Sequence, residues 1–157
     1  PSPSPSPSPS PSYYKTITPQ SNTNLCLDLP GDDSSDGNPV WLWDCNGQES
    51  QRWVFDSWQI RFGADESKCL DAGSMQDGFQ LWLWSCSGLA QQQWGYDESA
   101  SRIYLANTAM CMDFDWNDQS DGCTVQAWDC NGHTNQWWSV WNINLNETEG
   151  QRLPIIV

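Results

Sequence analysis

The residues of this chain best suited to chemistry are its indoles and its carboxylates. Twelve of the 157 residues are Trp and twenty are Asp or Glu. Trp41-Leu42-Trp43-Asp44-Cys45, Trp82-Leu83-Trp84-Ser85-Cys86 and Gln126-Ala127-Trp128-Asp129-Cys130 are three versions of one segment. Asp28, Asp71 and Asp113 likewise each stand two positions past a cysteine. An exposed indole is costly unless used, and the apolar C–H face of a sugar ring is a natural partner for it. Carboxylates could instead hold a cation. The run from Asp113 begins like a calcium loop, but Asp118 stands where Gly is needed and Thr124 where Glu is needed, so no metal site is expected. His133 is the only histidine and no Ser or Cys nucleophile has a recognisable setting, so no catalytic triad and no cofactor are expected. Spacing alone does not pick out a glycoside-cleaving pair from twenty acids.

Strand alternation sorts these side chains. Successive residues of a strand point to opposite faces. Val40 and Leu42 then share one face and Trp41 and Trp43 the other; Leu81 and Leu83 oppose Trp82 and Trp84; Val125 and Ala127 oppose Gln126 and Trp128. The aliphatic face is the core face. Trp43, Trp84 and Trp128 are left outside as candidate stacking platforms, unless each packs over its own disulfide.

The elements that carry these residues repeat at intervals of about 42. Asp36-Gly37, Asp77-Gly78 and Asp121-Gly122 each precede an apolar strand, a Cys-x-Gly and a Gln-x-Trp triplet. From Gly37 to Cys45 is eight positions and from Cys45 to Trp53 eight more, and the other two copies keep this register. A period of this length signals repeated supersecondary units that bury their apolar faces only together. Tyr13 to Thr18, Leu25 to Leu29, Trp58 to Phe62 and Arg102 to Leu105 read as strands, and no segment has a helical period. Many short strands between turn signals give an all-β barrel or sandwich, here with threefold closure.

Six of the seven cysteines bracket the repeats, as Cys26 and Cys45, Cys69 and Cys86, and Cys111 and Cys130. No Cys-x2-Cys pair exists to suggest zinc. Three intra-repeat disulfides follow, each worth about 3 kcal/mol in the chain-entropy model, and an oxidising compartment with them. Cys123 is left over.

Charge removes other classes. The net charge is -14 and only six residues are Lys or Arg, which disfavours nucleic acid and anionic membrane surfaces. No run of 18 apolar residues exists to cross a bilayer as a helix. Residues 1–12 alternate Pro and Ser, an extended spacer whose serines suit O-glycosylation. The chain starts with Pro, so it reads as a processed protein or an excerpt, with a covalently linked partner domain expected before the spacer. Asn146-Glu147-Thr148 is an N-glycosylation sequon in a weakly patterned tail.

Cys-Leu-Asp or Cys-Met-Asp, Trp-x-Cys and Gln-x-Trp, each in triplicate over residues 13–142, resemble the ricin B-chain type lectins and the family-13 carbohydrate-binding modules. The resemblance implies a β-trefoil of twelve strands with up to one shallow sugar site per lobe. The expected organisation is a linker at 1–12, a trefoil at 13–145 with lobes at about 13–56, 57–98 and 99–145, and a tail at 146–157. It implies that Asp28, Asp71 and Asp113 accept hydrogen bonds from two adjacent sugar hydroxyls, strengthened by their charge. Gln51, Gln92 and Gln136 are expected to orient those carboxylates. Trp53, Trp94 and Trp138 are expected to form a shared core. The residue before each triplet contacts sugar in this family when it is Asn; here it is Ser50, Gln91 and Asn135.

The third lobe alone carries the full set of Asp113, Gln126, Trp128, Asn135 and Gln136. Trp41 and Trp82 replace Gln126 in the other lobes, which puts binding there in question or shifts it toward stacking. The expected order is the third site, then the second (Asp71, Trp84, Gln91, Gln92), then the first (Asp28, Trp43, Gln51). The sequence thus reads as a secreted, non-catalytic module for galactose-type or xylan-type glycans. Its alternative is an excerpt of a secreted multidomain enzyme, such as a glycoside hydrolase, whose catalytic domain lies elsewhere. A heparin-binding trefoil ligand would be basic, and an inhibitor trefoil would lack the triplets.

Overall fold

The computed structural model describes residues 13–143 and the backbone of 152–154. The spacer at 1–12 and the sequon at Asn146 lie outside the described residues. Twelve strands fall four to a lobe. The first lobe has β1 (Lys15–Pro19), β2 (Leu25–Asp28), β3 (Trp41–Asp44) and β4 (Trp53–Asp56). The second has β5 (Gln59–Phe62), β6 (Asp65–Asp71), β7 (Trp82–Ser85) and β8 (Trp94–Asp97). The third has β9 (Arg102–Leu105), β10 (Met110–Phe114), β11 (Cys123–Asp129) and β12 (Trp138–Ile143). β12, β1, β4 and β5 pair in order, and β8 pairs with β9. These first and last strands of each lobe form the barrel wall. The middle strands form hairpins β2–β3, β6–β7 and β10–β11 that close one end. The molecule is an all-β trefoil.

Each repeat contributes the same anchor. Trp53, Trp94 and Trp138 are buried, and their indole N–H groups donate to the carbonyls of Leu27, Leu70 and Met112 at 3.0, 3.0 and 2.9 Å. A buried indole needs such a partner, and each lobe supplies its own. Val40, Leu42, Leu81, Leu83, Val125 and Ala127 are fully buried, so alternation assigned the core face as observed. Disulfides Cys26–Cys45, Cys69–Cys86 and Cys111–Cys130 close the three lobes with Cα separations of 5.1, 5.0 and 5.0 Å. Cys123 is a buried free thiol, and burial pushes its pKa up to about 12.

The Asp-Gly dipeptides do more than turn the chain. Gly37, Gly78 and Gly122 take φ of 93°, 88° and 90°, which glycine alone reaches without strain. Their N–H groups donate to Leu83, Ala127 and Leu42 of the next lobe in the cycle. The preceding carboxylates do the same work. Asp36 Oδ1 accepts from Ser85 N, Asp77 Oδ1 from Asp129 N and Asp121 Oδ1 from Asp44 N, each at 2.7 Å. The loops therefore clamp lobe one to two, two to three and three to one.

One sequence expectation is corrected. Trp58 does not open a strand: it sits in the β4–β5 turn with φ of 69°, and β5 begins at Gln59. Within the weakly patterned tail, Arg152–Pro154 forms a strand, β13, paired with Trp141–Ile143 of β12. β13 thus extends the sheet beyond β12.

Candidate carbohydrate sites

Asp28 and Asp71 end the second strands of their lobes, and Asp113 stands one residue before the end of the corresponding strand. Asp28 stands opposite Trp41, Asp71 opposite Trp82 and Asp113 opposite Gln126. The register therefore brings the same two positions together three times, with a Gln from the triplet reaching in from the side.

Gln51, Gln92 and Gln136 hold the carboxylates as the resemblance implies. Their Nε2 groups donate to Asp28, Asp71 and Asp113 Oδ2 at 2.8, 2.9 and 3.0 Å. The same amides donate to the carbonyls of Asp44, Ser85 and Asp129, and their oxygens accept from Asn46, Ser87 and Asn131 N. All three Gln side chains are thereby fixed at both ends, inside the fold.

The opposite oxygen shows what the sequence did not disclose. In the third lobe Gln126 Nε2 donates to Asp113 Oδ1 at 3.0 Å. In the other lobes an indole makes that bond: Trp41 Nε1 reaches Asp28 Oδ1 at 3.1 Å and Trp82 Nε1 reaches Asp71 Oδ1 at 2.8 Å. Replacing Gln by Trp conserves the donor. A residue-type comparison misses this, because Trp at an outward position signals its ring before its N–H.

A third donor completes each set. Asn135 Nδ2 donates to Asp113 Oδ2 at 3.1 Å and to Phe114 O at 3.2 Å. Ser50 Oγ makes a long bond of 3.4 Å to Asp28 Oδ2. In the second lobe the backbone N–H of Gly73 donates to Asp71 Oδ1 at 2.6 Å, while the side chain of Gln91 makes no bond to Asp71. A carboxylate has about four lone-pair sites, so roughly one is left per lobe. Two sugar hydroxyls at one Asp require a protein donor to yield. Ser50, with its long bond, and Asn135 are side chains and can turn aside; Gly73 N is backbone and cannot.

Burial raises the Asp28 and Asp113 carboxyls above the ordinary range, against the hydrogen bonds that lower them. They are already largely stripped of water and held by protein donors, so a ligand meets preformed acceptors.

The stacking candidates differ in access. Trp84 and Trp128 are exposed at 39% and 38%, whereas Trp43 is half-buried. Trp43 lies against Trp41 with ring centroids 4.9 Å apart and planes 25° from parallel. Trp82 is tilted 35° to Trp84 and meets Phe79 edge-on. Gly37 and Gly78 of the clamping loops back Trp84 and Trp128, but in the first lobe Gly122 backs Trp41 instead of Trp43. The 530 Å3 cavity beside Cys26–Cys45 is lined by Asn24, Asp44 and Arg52 but by neither Asp28 nor Trp43.

A family model for the ricin-type β-trefoil lectin domain matches residues 14–138. Among curated proteins, serine protease 1 of Rarobacter faecitabidus is 42% identical over 123 residues, covering 76% of this chain and 22% of the protease. The chain spans under a third of the length of the curated relatives it matches. Among solved structures, the designed threefold symmetric protein ThreeFoil superposes with a TM-score of 0.73 at 23% identity, over 81% of this chain and 96% of that one. The C-half of the earthworm R-type lectin, solved with GalNAc, gives 0.71 at 19%, over 82% and 97%. These likenesses extend over all three lobes, and the family match covers most of the chain: it belongs to the ricin-type β-trefoil lectin domain family.

Proposed function

We propose that this chain is a non-catalytic glycan-binding module whose principal site is the third lobe. The observation that carries the reading is Asp113, buried and held by Gln126, Asn135 and Gln136 beside the exposed indole of Trp128. Trp128 gives a stacking face for a pyranose ring, and Asp113 accepts a hydrogen bond from a hydroxyl at the ring's edge. The two amides donate to Asp113 through nitrogen, so Gln126 Oε1 and Asn135 Oδ1 remain as acceptors for neighbouring hydroxyls. The second lobe, with Trp84 exposed and Asp71 occupied by Gly73 N, binds mainly by stacking. The first, with Trp43 covered on one side, binds least. Galactose-type and xylan-type sugars both offer the required C–H face and vicinal hydroxyls. Several weak sites on one chain gain by multivalency on a repeating glycan.

The Pro-Ser spacer and the disulfides support a secreted module tethered to another domain. A second reading, that the chain is the binding part of a larger secreted enzyme, is favoured by the relative named as a serine protease, of which a matching segment is only 22%. The test is a glycan array and calorimetry with wild type and Asp113→Ala/Trp128→Ala. Wild type is expected to retain galactosides or xylo-oligosaccharides, and the double variant to lose most of that binding while unfolding normally. Undiminished affinity in a folded double variant would remove the third lobe as principal site. Hydrolysis of the bound glycan by a clean preparation would overturn the non-catalytic assignment.

A further inference from the structure

The barrel wall departs from threefold symmetry around Gly95. Backbone bonds define the equivalences: Trp58 O accepts from Trp94 N as Ser101 O accepts from Trp138 N, and Lys15 pairs with Trp53. Trp58 therefore occupies the position of Lys15 and Ser101. Ala106 N donates to Gln93 O as Gly63 N donates to Arg52 O, so Tyr104 occupies the position of Arg61. Gly95 follows the core Trp where the other lobes have Val54 and Ser139. Repeats explain what the lobes share; they do not explain an aromatic pair in one lobe boundary only.

The three departures fit one another. A Cβ on Gly95 would lie 2.4 Å from the Tyr104 ring and 2.8 Å from Trp58 Cζ3, so only glycine lets both rings settle on the wall. Trp58 nonetheless stays 56% exposed. It is held there by a turn in which Ser57 and Trp58 have φ of 51° and 69°, a conformation that asks for Asn and Gly. The equivalent Ser101 is left-handed too, with φ of 56°, so what is particular to this boundary is the indole placed on that backbone. Beside the indole lies a 330 Å3 groove lined by Trp58, Gln93, Tyr104, Ala106 and Asn107. That size sits at the lower end of the roughly 300–1,000 Å3 typical of small-molecule sites. Gln93 Nε2 is tied to Gly88 O, which aims the amide; among the described residues the Tyr104 hydroxyl and the Asn107 side chain have no hydrogen-bond partner.

We infer that this groove is a fourth carbohydrate-binding surface, outside the three lobe sites, that stacks a pyranose ring of a glycan chain on Trp58. Tyr104 and Asn107 supply hydrogen bonds to its hydroxyls. No charged residue lines the groove, so the ligand is a neutral sugar. The site rests on no residue of the Asp28, Asp71 or Asp113 clusters. It would give the domain a contact on its barrel wall while the lobes engage elsewhere on the same polysaccharide.

The test is proton–nitrogen NMR of the whole chain, following the indole N–H signals during titration with lactose, xylotetraose and cellotetraose. The Trp58 signal is expected to shift with at least one of the three. Trp58→Gly is expected to remove that response, leave the Trp128 response in place, and unfold no earlier than wild type because it relieves the left-handed turn. Tyr104→Phe is expected to weaken the Trp58 response severalfold. A Trp58 signal that stays fixed while Trp128 moves would overturn the groove alone. A Trp128 signal that stays fixed while Trp58 moves would overturn the third-lobe assignment alone. A Trp58→Gly variant less stable than wild type would show that the indole is there for packing, and would overturn the inference.

Discussion

In the third lobe Gln126 gives an amide hydrogen to Asp113 and keeps its carbonyl oxygen for another partner. In the first, Trp41 gives its only hydrogen-bonding group to Asp28 and lays its ring over Trp43. The two lobes hold the same carboxylate with equal care and differ in what is left over. One offers a free indole face and two spare amide oxygens; the other offers an indole pair closed on itself. Holding the acid belongs to the fold, and on the proposed reading binding depends on the surplus.

The strongest way to break this contrast is to remove what the lobes share. Trp138→Ala empties a fully buried position and orphans the Met112 carbonyl, and should cost about 3–5 kcal/mol of stability. Urea unfolding measures the loss, and all lobe sites should weaken together. Selective loss of the third site with normal stability would mean that the lobes are energetically separate.

Next comes the surplus itself. Trp128→Ala should weaken glycan binding at least about tenfold, or ~1.4 kcal/mol. Trp43→Ala should change it less than about threefold, since its ring is half-covered before any ligand arrives. Calorimetry with one monovalent sugar separates the two. Equal losses would erase the ranking of the lobes.

The repeats made much of this legible in the sequence. The register of Trp-x-Cys and Gln-x-Trp placed Trp53, Trp94 and Trp138 in the core, and the bracketing cysteines matched the three lobes. What stayed hidden were roles carried by one atom of a side chain. Trp41 and Trp82 looked like departures from Gln126, yet their N–H groups take over its bond. Asp36, Asp77 and Asp121 looked like turn residues, yet each carboxylate crosses to the next lobe. A signal was available for these: a turn needs only the Gly, and an Asp repeated three times before it asks for a second reason. The left-handed Ser57–Trp58 turn left no such sign, because neither residue favours positive φ.

The contrast can also be sharpened by transplanting it. Trp41→Gln keeps a donor opposite Asp28, adds an acceptor oxygen and uncovers Trp43. The first lobe should gain a few-fold in affinity and become detectable in an Asp113→Ala/Trp128→Ala background. Failure to gain there, in a folded protein, would show that Ser50 in place of Asn135 is the limiting difference.

The smallest expected effect is a pH dependence common to the first and third lobes. Burial raises the folded-state pKa of Asp28 and Asp113 above the unfolded value. The native state then holds these protons at a pH where the unfolded chain has released them. Between the two pKa values their contribution to stability falls as pH rises, because the unfolded state binds fewer protons. Binding runs the other way: a protonated carboxyl no longer offers two charged acceptor oxygens, so affinity falls on acidification, starting above the ordinary Asp range. Calorimetry from neutral to acid pH reads the binding arm, and urea midpoints over the same range read the stability arm. Asp113→Asn should flatten the third-lobe binding profile at a lower plateau. A profile unchanged by that substitution would place the titrating group elsewhere, and with it the acceptor that the third lobe is argued to depend on.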